Sequence, residues 1–167
     1  LLSAGFCSCK QSLFERLYHQ LKTANCQSCI ATLERQGRMH PQICDFANRH
    51  FYNSRLYAVP LPHQTAELPY ETYDADHRWE SIIATRRTAF IAVDPPGKEE
   101  PTKTNSNEAN AAAALVHSII TLYQKNGIPF DAHRSIGIIA PFRSQGACIR
   151  QALSKYGMPE TSDISID

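Results

Sequence analysis

Apolar positions recur with a helical period toward both ends of this chain and lose that period in its middle. Over residues 12–23, Leu13, Phe14, Leu17 and Leu21 fall on one face, and Ser12 with Glu15 three residues on has the form of a capping box. The spacing predicts a helix there. Residues 29–33 are a short apolar run that predicts a strand. Pro41 suits the first turn of a helix, where its missing N–H has no partner to lose. Ile43, Phe46, Ala47, His50 and Phe51 carry that helix onward with helical spacing. Residues 54–87 hold three prolines and no sustained period, which predicts an irregular connecting excursion with room for short strands only.

Beyond the excursion the pattern sharpens. Residues 88–93 predict a strand, ended by Asp94-Pro95-Pro96-Gly97, and a polar loop follows over 98–106. Asn105 with Glu108 three residues later is an N-cap signature, its carboxylate well placed for the helix dipole. The helix after it carries Ala112, Leu115, Val116, Ile119, Ile120 and Tyr123 as its expected buried stripe, with Gly127 to end it. Residues 135–140 read as an apolar strand of the kind found inside parallel sheets. A helix is expected over 144–156, with Cys148, Ile149, Ala152 and Leu153 inward and Gly157 closing it, and residues 164–167 open a last strand. Strands alternating with helices predict an α/β sandwich with a mainly parallel sheet.

Composition adds bounds rather than identity. A chain of 167 residues is expected to be one domain with a full core. The net charge of +1 does not advertise a nucleic-acid binder, although a groove can be locally basic. No apolar run approaches the length of a membrane span. Leu1-Leu2-Ser3-Ala4 lacks the basic region and long apolar stretch of a signal peptide, and a chain that opens without methionine reads as an excised fragment. Of the six cysteines, Cys7, Cys9, Cys26 and Cys29 form a C-x-C and a C-x-x-C pair. That spacing leaves structural zinc, disulfides and plain reduced thiols open, but C-x-C is an uncommon zinc half-site and the pairs flank a helical segment. Cys44 and Cys148 fall on apolar faces, as small hydrophobes do. No metal centre is expected, and the compartment is expected to be reducing: cytosol, or nucleus in a eukaryote.

Candidate chemistry gathers in two short stretches. In Gln36-Gly37-Arg38-Met39-His40-Pro41, an arginine sits in a turn before a helix, from which its planar fork can reach a phosphate or simply pair with a surface carboxylate. Met39 is expected in the core, and His40 at the helix entry, bonding nearby backbone. In Gly137-Ile138-Ile139-Ala140-Pro141-Phe142-Arg143-Ser144-Gln145, an apolar strand stops at a proline and an aromatic. Ligands of parallel sheets bind beyond the carboxyl ends of strands, so Phe142 either stacks on a ligand or packs under the following helix. Nothing in the chain assembles a serine, cysteine or metal-dependent hydrolase. No G-x-x-x-x-G-K-[ST] phosphate loop occurs in it.

Residues 32–56, which run TLERQGRMHPQICDFANRHFYNSRL, resemble the L-x-x-Q-Y-R-M-H-P-x-I-x-x-F-x-N-x-x-F-Y-x-x-x-L block of superfamily 1 helicases. The subgroup is the one containing the nonsense-mediated-decay RNA helicase and its DNA-unwinding relatives. Residues 12–17 are similar to the S-L-F-E-R-L that precedes that block, Asn105 to Ala109 to N-x-x-E-A, and Ile136 to Gln145 to I-G-I-I-T-P-Y-R-x-Q. Asp163 to Asp167 resembles the opening of the next block, whose T-V-x-x-F-Q-G continuation lies beyond Asp167. The matches run in family order.

The resemblance implies a RecA-like three-layer sandwich of the P-loop NTPase type: residues 1–167 as a second RecA-like domain, incomplete at its C-terminus. In the family, ATP and Mg²⁺ sit between two such domains and are held mainly by the first, so none is expected on this part alone. The second domain supplies arginines to the γ-phosphate, which aligns Arg38 as catalytic and Gln36 with Arg38 as nucleotide-binding. Single-stranded DNA or RNA crosses the tops of both domains, which makes Pro141, Phe142, Arg143 and Gln145 candidates for strand contact. The implied partners are that strand and the first RecA-like domain of the same parent chain, with no membrane. Gly37 stands where the family has tyrosine, which removes an aromatic and is expected to loosen the turn, and Ala140 stands where it has threonine. These departures motivate an alternative: a catalytically inactive helicase-like module serving as a nucleic-acid or protein platform. In either case these residues alone are not expected to hydrolyse ATP.

Overall fold

The computed structural model describes residues 11–95, 103–158 and 161–167. The chain divides into two compact units, one ending at Thr65 and the other beginning at Ala66, where the sequence pattern led to the expectation of a single domain.

The first unit is organised by polar side chains. Helix α1 (Leu13–Thr23) starts at the predicted capping box: the Glu15 amide donates to Ser12 Oγ at 3.1 Å, and the Ser12 amide donates to Glu15 Oε2 at 3.0 Å. Its apolar stripe forms but finds no cover within the unit, and Leu13, Phe14 and Leu17 stay exposed. A single 3-10 turn (Gln27–Cys29) follows. The strand expected over 29–33 is displaced to β1 (Arg35–Gln36), which pairs in parallel with β2 (Tyr57–Ala58). Between them lies helix α2 (Pro41–Phe51), with Pro41 in its first turn and His40 as N-cap, Nδ1 accepting the Gln42 amide at 3.2 Å. Asn48 then fixes how the chain leaves α2. Its Nδ2 donates to the Leu56 carbonyl at 2.9 Å and its Oδ1 accepts the Leu56 amide at 2.8 Å, a reciprocal pair that delivers the chain into β2. A short helix α3 (Pro62–Thr65) closes the unit. Among its described residues only Cys44 and Gln64 are fully buried.

The second unit has an apolar core. Helix α5 (Ser106–Lys125) begins at Asn105, whose side chain accepts the Asn107 and Glu108 amides, and ends before Gly127 at φ +62°. Ala109, Ala113, Val116 and Ile120 on α5 pack with Ile149, Ala152 and Leu153 on helix α7 (Arg143–Ser154) and with Ile164. This buried stripe is rotated from the predicted one, because α5 is covered on more than one side and also buries Ser118 and Leu122. Strands β3 (Gly137–Ile138) and β4 (Ser165–Ile166) pair in parallel beside that core. Gly157, at φ +62°, follows α7 as expected.

Four further expectations are corrected here. The excursion over 54–87 is not wholly irregular: it contains β2, α3 and helix α4 (Arg78–Thr85). Helix α4 is held by Glu80, buried and bonded to Lys125 Nζ at 2.7 and 2.8 Å, and the turn before it is held by Asn126, which accepts the Glu71 and Thr72 amides. Residues 88–93 have no strand partner among the described residues, and Phe90 is 96% exposed. The predicted strand over 135–140 shrinks to β3 because helix α6 (Ala132–Ser135), capped by Asp131, takes its first residue. Parallel pairing is as predicted, but the described strands form two separate two-stranded sheets rather than one.

Candidate functional site

Arg38 stands in the first unit at the bend between β1 and α2, exposed, and its guanidinium has no hydrogen bond or ion pair among the described residues. The backbone around it is heavily bonded. Gln36 folds its amide under the bend: Oε1 accepts the Arg38 amide at 2.9 Å and the Met39 amide at 2.7 Å, while Nε2 donates to the Met39 carbonyl at 2.8 Å. From α3, Gln64 Nε2 donates to the Gln36 and Met39 carbonyls at 3.0 and 2.9 Å. His63 Nε2 donates to the Gly37 carbonyl at 2.9 Å. Gly37 does not leave the turn loose. Its φ is not in the left-handed region, and a Cβ there would rest 3.4 Å from Leu61 Cδ1. Gln36 thus acts through the backbone that carries Arg38, and Met39, expected in the core, is only half-buried.

The second candidate group lies in the second unit, where β3 runs into α7. Pro141, Phe142 and Arg143 are exposed there, and α7 starts at Phe142 without a side-chain cap. The Phe142 ring, partly exposed, lies 5.5 Å from Lys103 Nζ. Gln145 is the exception. It is buried at 6% exposure, its Oε1 accepts the Asn105 amide at 2.7 Å and its Nε2 donates to the Asn105 carbonyl at 3.1 Å. Its amide faces inward and ties α7 to the N-cap of α5, because a buried amide must find partners. Ala140 packs against the core and donates its amide to the Asp167 carbonyl. A threonine at this position would bring its hydroxyl to that half-buried site.

These two groups lie in different units. The sequence singles out Gln36, Arg38, Pro141, Phe142, Arg143 and Gln145; the structure adds His63 and Gln64 beside the first group and Lys103 beside the second. Only Pro62, at the first position of α3, signalled a helix there; Lys103 sits in a polar loop with no pattern. Among the described residues no cluster of three His, Cys, Asp or Glu side chains is placed to hold a metal ion. Cys26 and Cys29 are exposed, and Cys7 and Cys9 lie outside the described residues.

The AAA domain family matches residues 9–167, and the chain belongs to that family, within superfamily 1 helicases of the nonsense-mediated-decay helicase-like subgroup. It is 31% identical over 159 residues to Helicase sen1 of Schizosaccharomyces pombe, covering 93% of this chain and 8% of that protein. It is 27% identical over 139 residues to the DNA replication ATP-dependent helicase/nuclease JHS1 of Arabidopsis thaliana, covering 82% and 10%. With Helicase SEN1 of Saccharomyces cerevisiae it shares 28% over 148 residues, covering 87% and 6%. The chain therefore spans a tenth or less of the length of these relatives. No solved structure matches it. No described helix is long and apolar enough to cross a membrane.

Proposed function

We propose that this chain is the second RecA-like domain of an ATP-dependent DNA or RNA helicase, which presents Arg38 to the nucleotide and part of a surface to a single strand. One observation carries the reading: the family block's arginine is exposed and, among the described residues, unpartnered, on a turn whose carbonyls and amides are bonded. A guanidinium held in that way can meet charge growing on a γ-phosphate without first breaking a bond to its own domain. In this reading ATP and Mg²⁺ are held mainly by the first RecA-like domain of the same parent chain, as the resemblance to the helicase block implies, and Arg38 reaches the nucleotide from this one. Bound in that first domain, Mg²⁺ would supply neutralisation of the phosphate charge.

At the strand end, Phe142 offers an aromatic face, with Lys103 and Arg143 as cations near it, a combination that suits base stacking and phosphate contact. Gln145 contributes by fixing α7 against Asn105 rather than by exposure. The protein would work in cytosol or nucleus. The test is ATP turnover by the full helicase chain, with and without single-stranded DNA or RNA, for wild type and Arg38→Ala. Strand-stimulated turnover that collapses in the variant while ATP binding persists supports the reading. Strand binding without turnover in either protein would favour the inactive platform. Turnover by residues 1–167 alone would overturn the assignment of ATP to another domain.

A further inference from the structure

We infer that Gln64, with His63 beside it, is a positioning residue for Arg38: a clamp from α3 that holds the bend open toward the nucleotide in place of the aromatic the family carries at position 37. The inference rests on the proposed role of Arg38.

Gln64 is 1% exposed, and it is among the largest fully buried side chains together with Ile120 and Leu122, which are apolar. Burying an amide is costly unless its donors are satisfied. Gln64 uses its Nε2 on two carbonyls, those of Gln36 and Met39, which bracket Gly37 and Arg38. Its Oε1 receives only a long bond, 3.4 Å, from the Leu61 amide. His63 takes the carbonyl between them, that of Gly37. With Gln36 bonding the amides of Arg38 and Met39, the carbonyls of 36, 37 and 39 and the amides of 38 and 39 are all held. A glycine in a bend adds backbone freedom that must be removed before the next residue can be aimed. The α3 pair removes it, and the Arg38 side chain is left as the free element. Aim matters here because small misplacement of a charge-stabilising group lowers the rate of the chemical step more than it lowers binding.

Gln64→Glu is close to isosteric but turns two donors into lone pairs facing two carbonyls. In the full helicase chain, strand-stimulated kcat for ATP should fall by about tenfold or more, with KM for ATP and single-strand affinity held within about twofold. Hydrogen exchange at the Arg38 and Met39 amides should speed up. The double variant Arg38→Ala/Gln64→Glu should be no slower than Arg38→Ala, since a clamp without its arginine has nothing left to aim. If Gln64→Glu does not fold, His63→Ala against His63→Gln carries the same comparison, the glutamine restoring a donor to the Gly37 carbonyl. Unchanged kcat in Gln64→Glu, or losses that multiply in the double variant, would overturn the clamp while a collapse in Arg38→Ala keeps the arginine reading. An Arg38→Ala protein with full turnover overturns both.

Discussion

Each of the two units of this chain is held by a different balance of forces. Around Arg38, side-chain amides of Gln36, Asn48 and Gln64 bond backbone groups, and Cys44 is the one fully buried apolar residue among those described. In the second unit an alanine-rich face of α5 closes on α7, with Ile120, Ile149, Leu153 and Ile164 sealed between them. Apolar burial is non-directional and tolerates small shifts, whereas a hydrogen bond is sensitive to angle. The unit that presents an arginine relies mainly on the directional kind, while the second unit adds an apolar core to the directional bonds of Glu80, Asn126 and Gln145. The apolar stripe of α1, with Leu13, Phe14 and Leu17 exposed, belongs to the same contrast, since the first unit leaves uncovered what the second encloses.

The sharpest way to break the contrast is to remove what each unit is built around. Arg38→Ala should lower strand-stimulated ATP turnover of the full helicase by about 10³-fold or more, as loss of an arginine finger does, without lowering thermal stability. A melting temperature that falls with the rate would mean that Arg38 is structural. Ile120→Ala should do the reverse. At 1% exposure it leaves a cavity that costs about 2–5 kcal/mol, read as a lower denaturant midpoint for the second unit, while amide exchange around Gly37 and Arg38 stays as in wild type. Loss of protection in both units together would show that they unfold as one.

What could be read in the sequence divides along the same line. Helix ends were legible because their signals are local: Ser12 with Glu15, Asn105 with Glu108, Pro41, Gly127 and Gly157 all act within a few residues. Arg38 was legible from the block that contains it. The rest depends on distant partners. Gln64 reaches Gln36 across 28 residues, Glu80 reaches Lys125 across 45, and Gln145 reaches Asn105 across 40. Nothing in the spacing of residues 54–87 shows that Glu80 is about to be buried. The strands failed for a related reason. Residues 29–33 and 88–93 have the apolar content of strands, but a strand also needs an edge to pair with, and that is set by topology.

A smaller effect sharpens the strand-end side. Phe142→Ala should weaken single-strand affinity of the full chain by about 1–3 kcal/mol if the ring stacks on a base, with little change in the salt dependence of binding. Lys103→Gln should instead flatten the salt dependence, by about one unit of slope if Lys103 meets a phosphate. Equal loss of slope in both variants would mean that Lys103 and Phe142 act only as a pair.

The smallest expected effect concerns acid. Burial works to raise the Glu80 pKa, but hydrogen bonds from Lys125 and from the Asp74 amide, with the Lys125 and His77 charges, outweigh it, so the carboxyl sits below its ordinary value of 4.5. A depressed carboxylate stabilises the folded state above its unfolded pKa, and that contribution is lost as pH falls through the folded one. The second unit should therefore keep its full stability above about pH 5 and lose part of it progressively below about pH 4.5. Lys125 is partly exposed, so the contribution is modest, about 1–2 kcal/mol. Glu80→Gln keeps the size, cannot ionise, and should remove both the contribution and its acid dependence. A Glu80→Gln protein that still loses stability over that range by as much as wild type would place the acid sensitivity on other carboxylates and leave α4 held by packing alone.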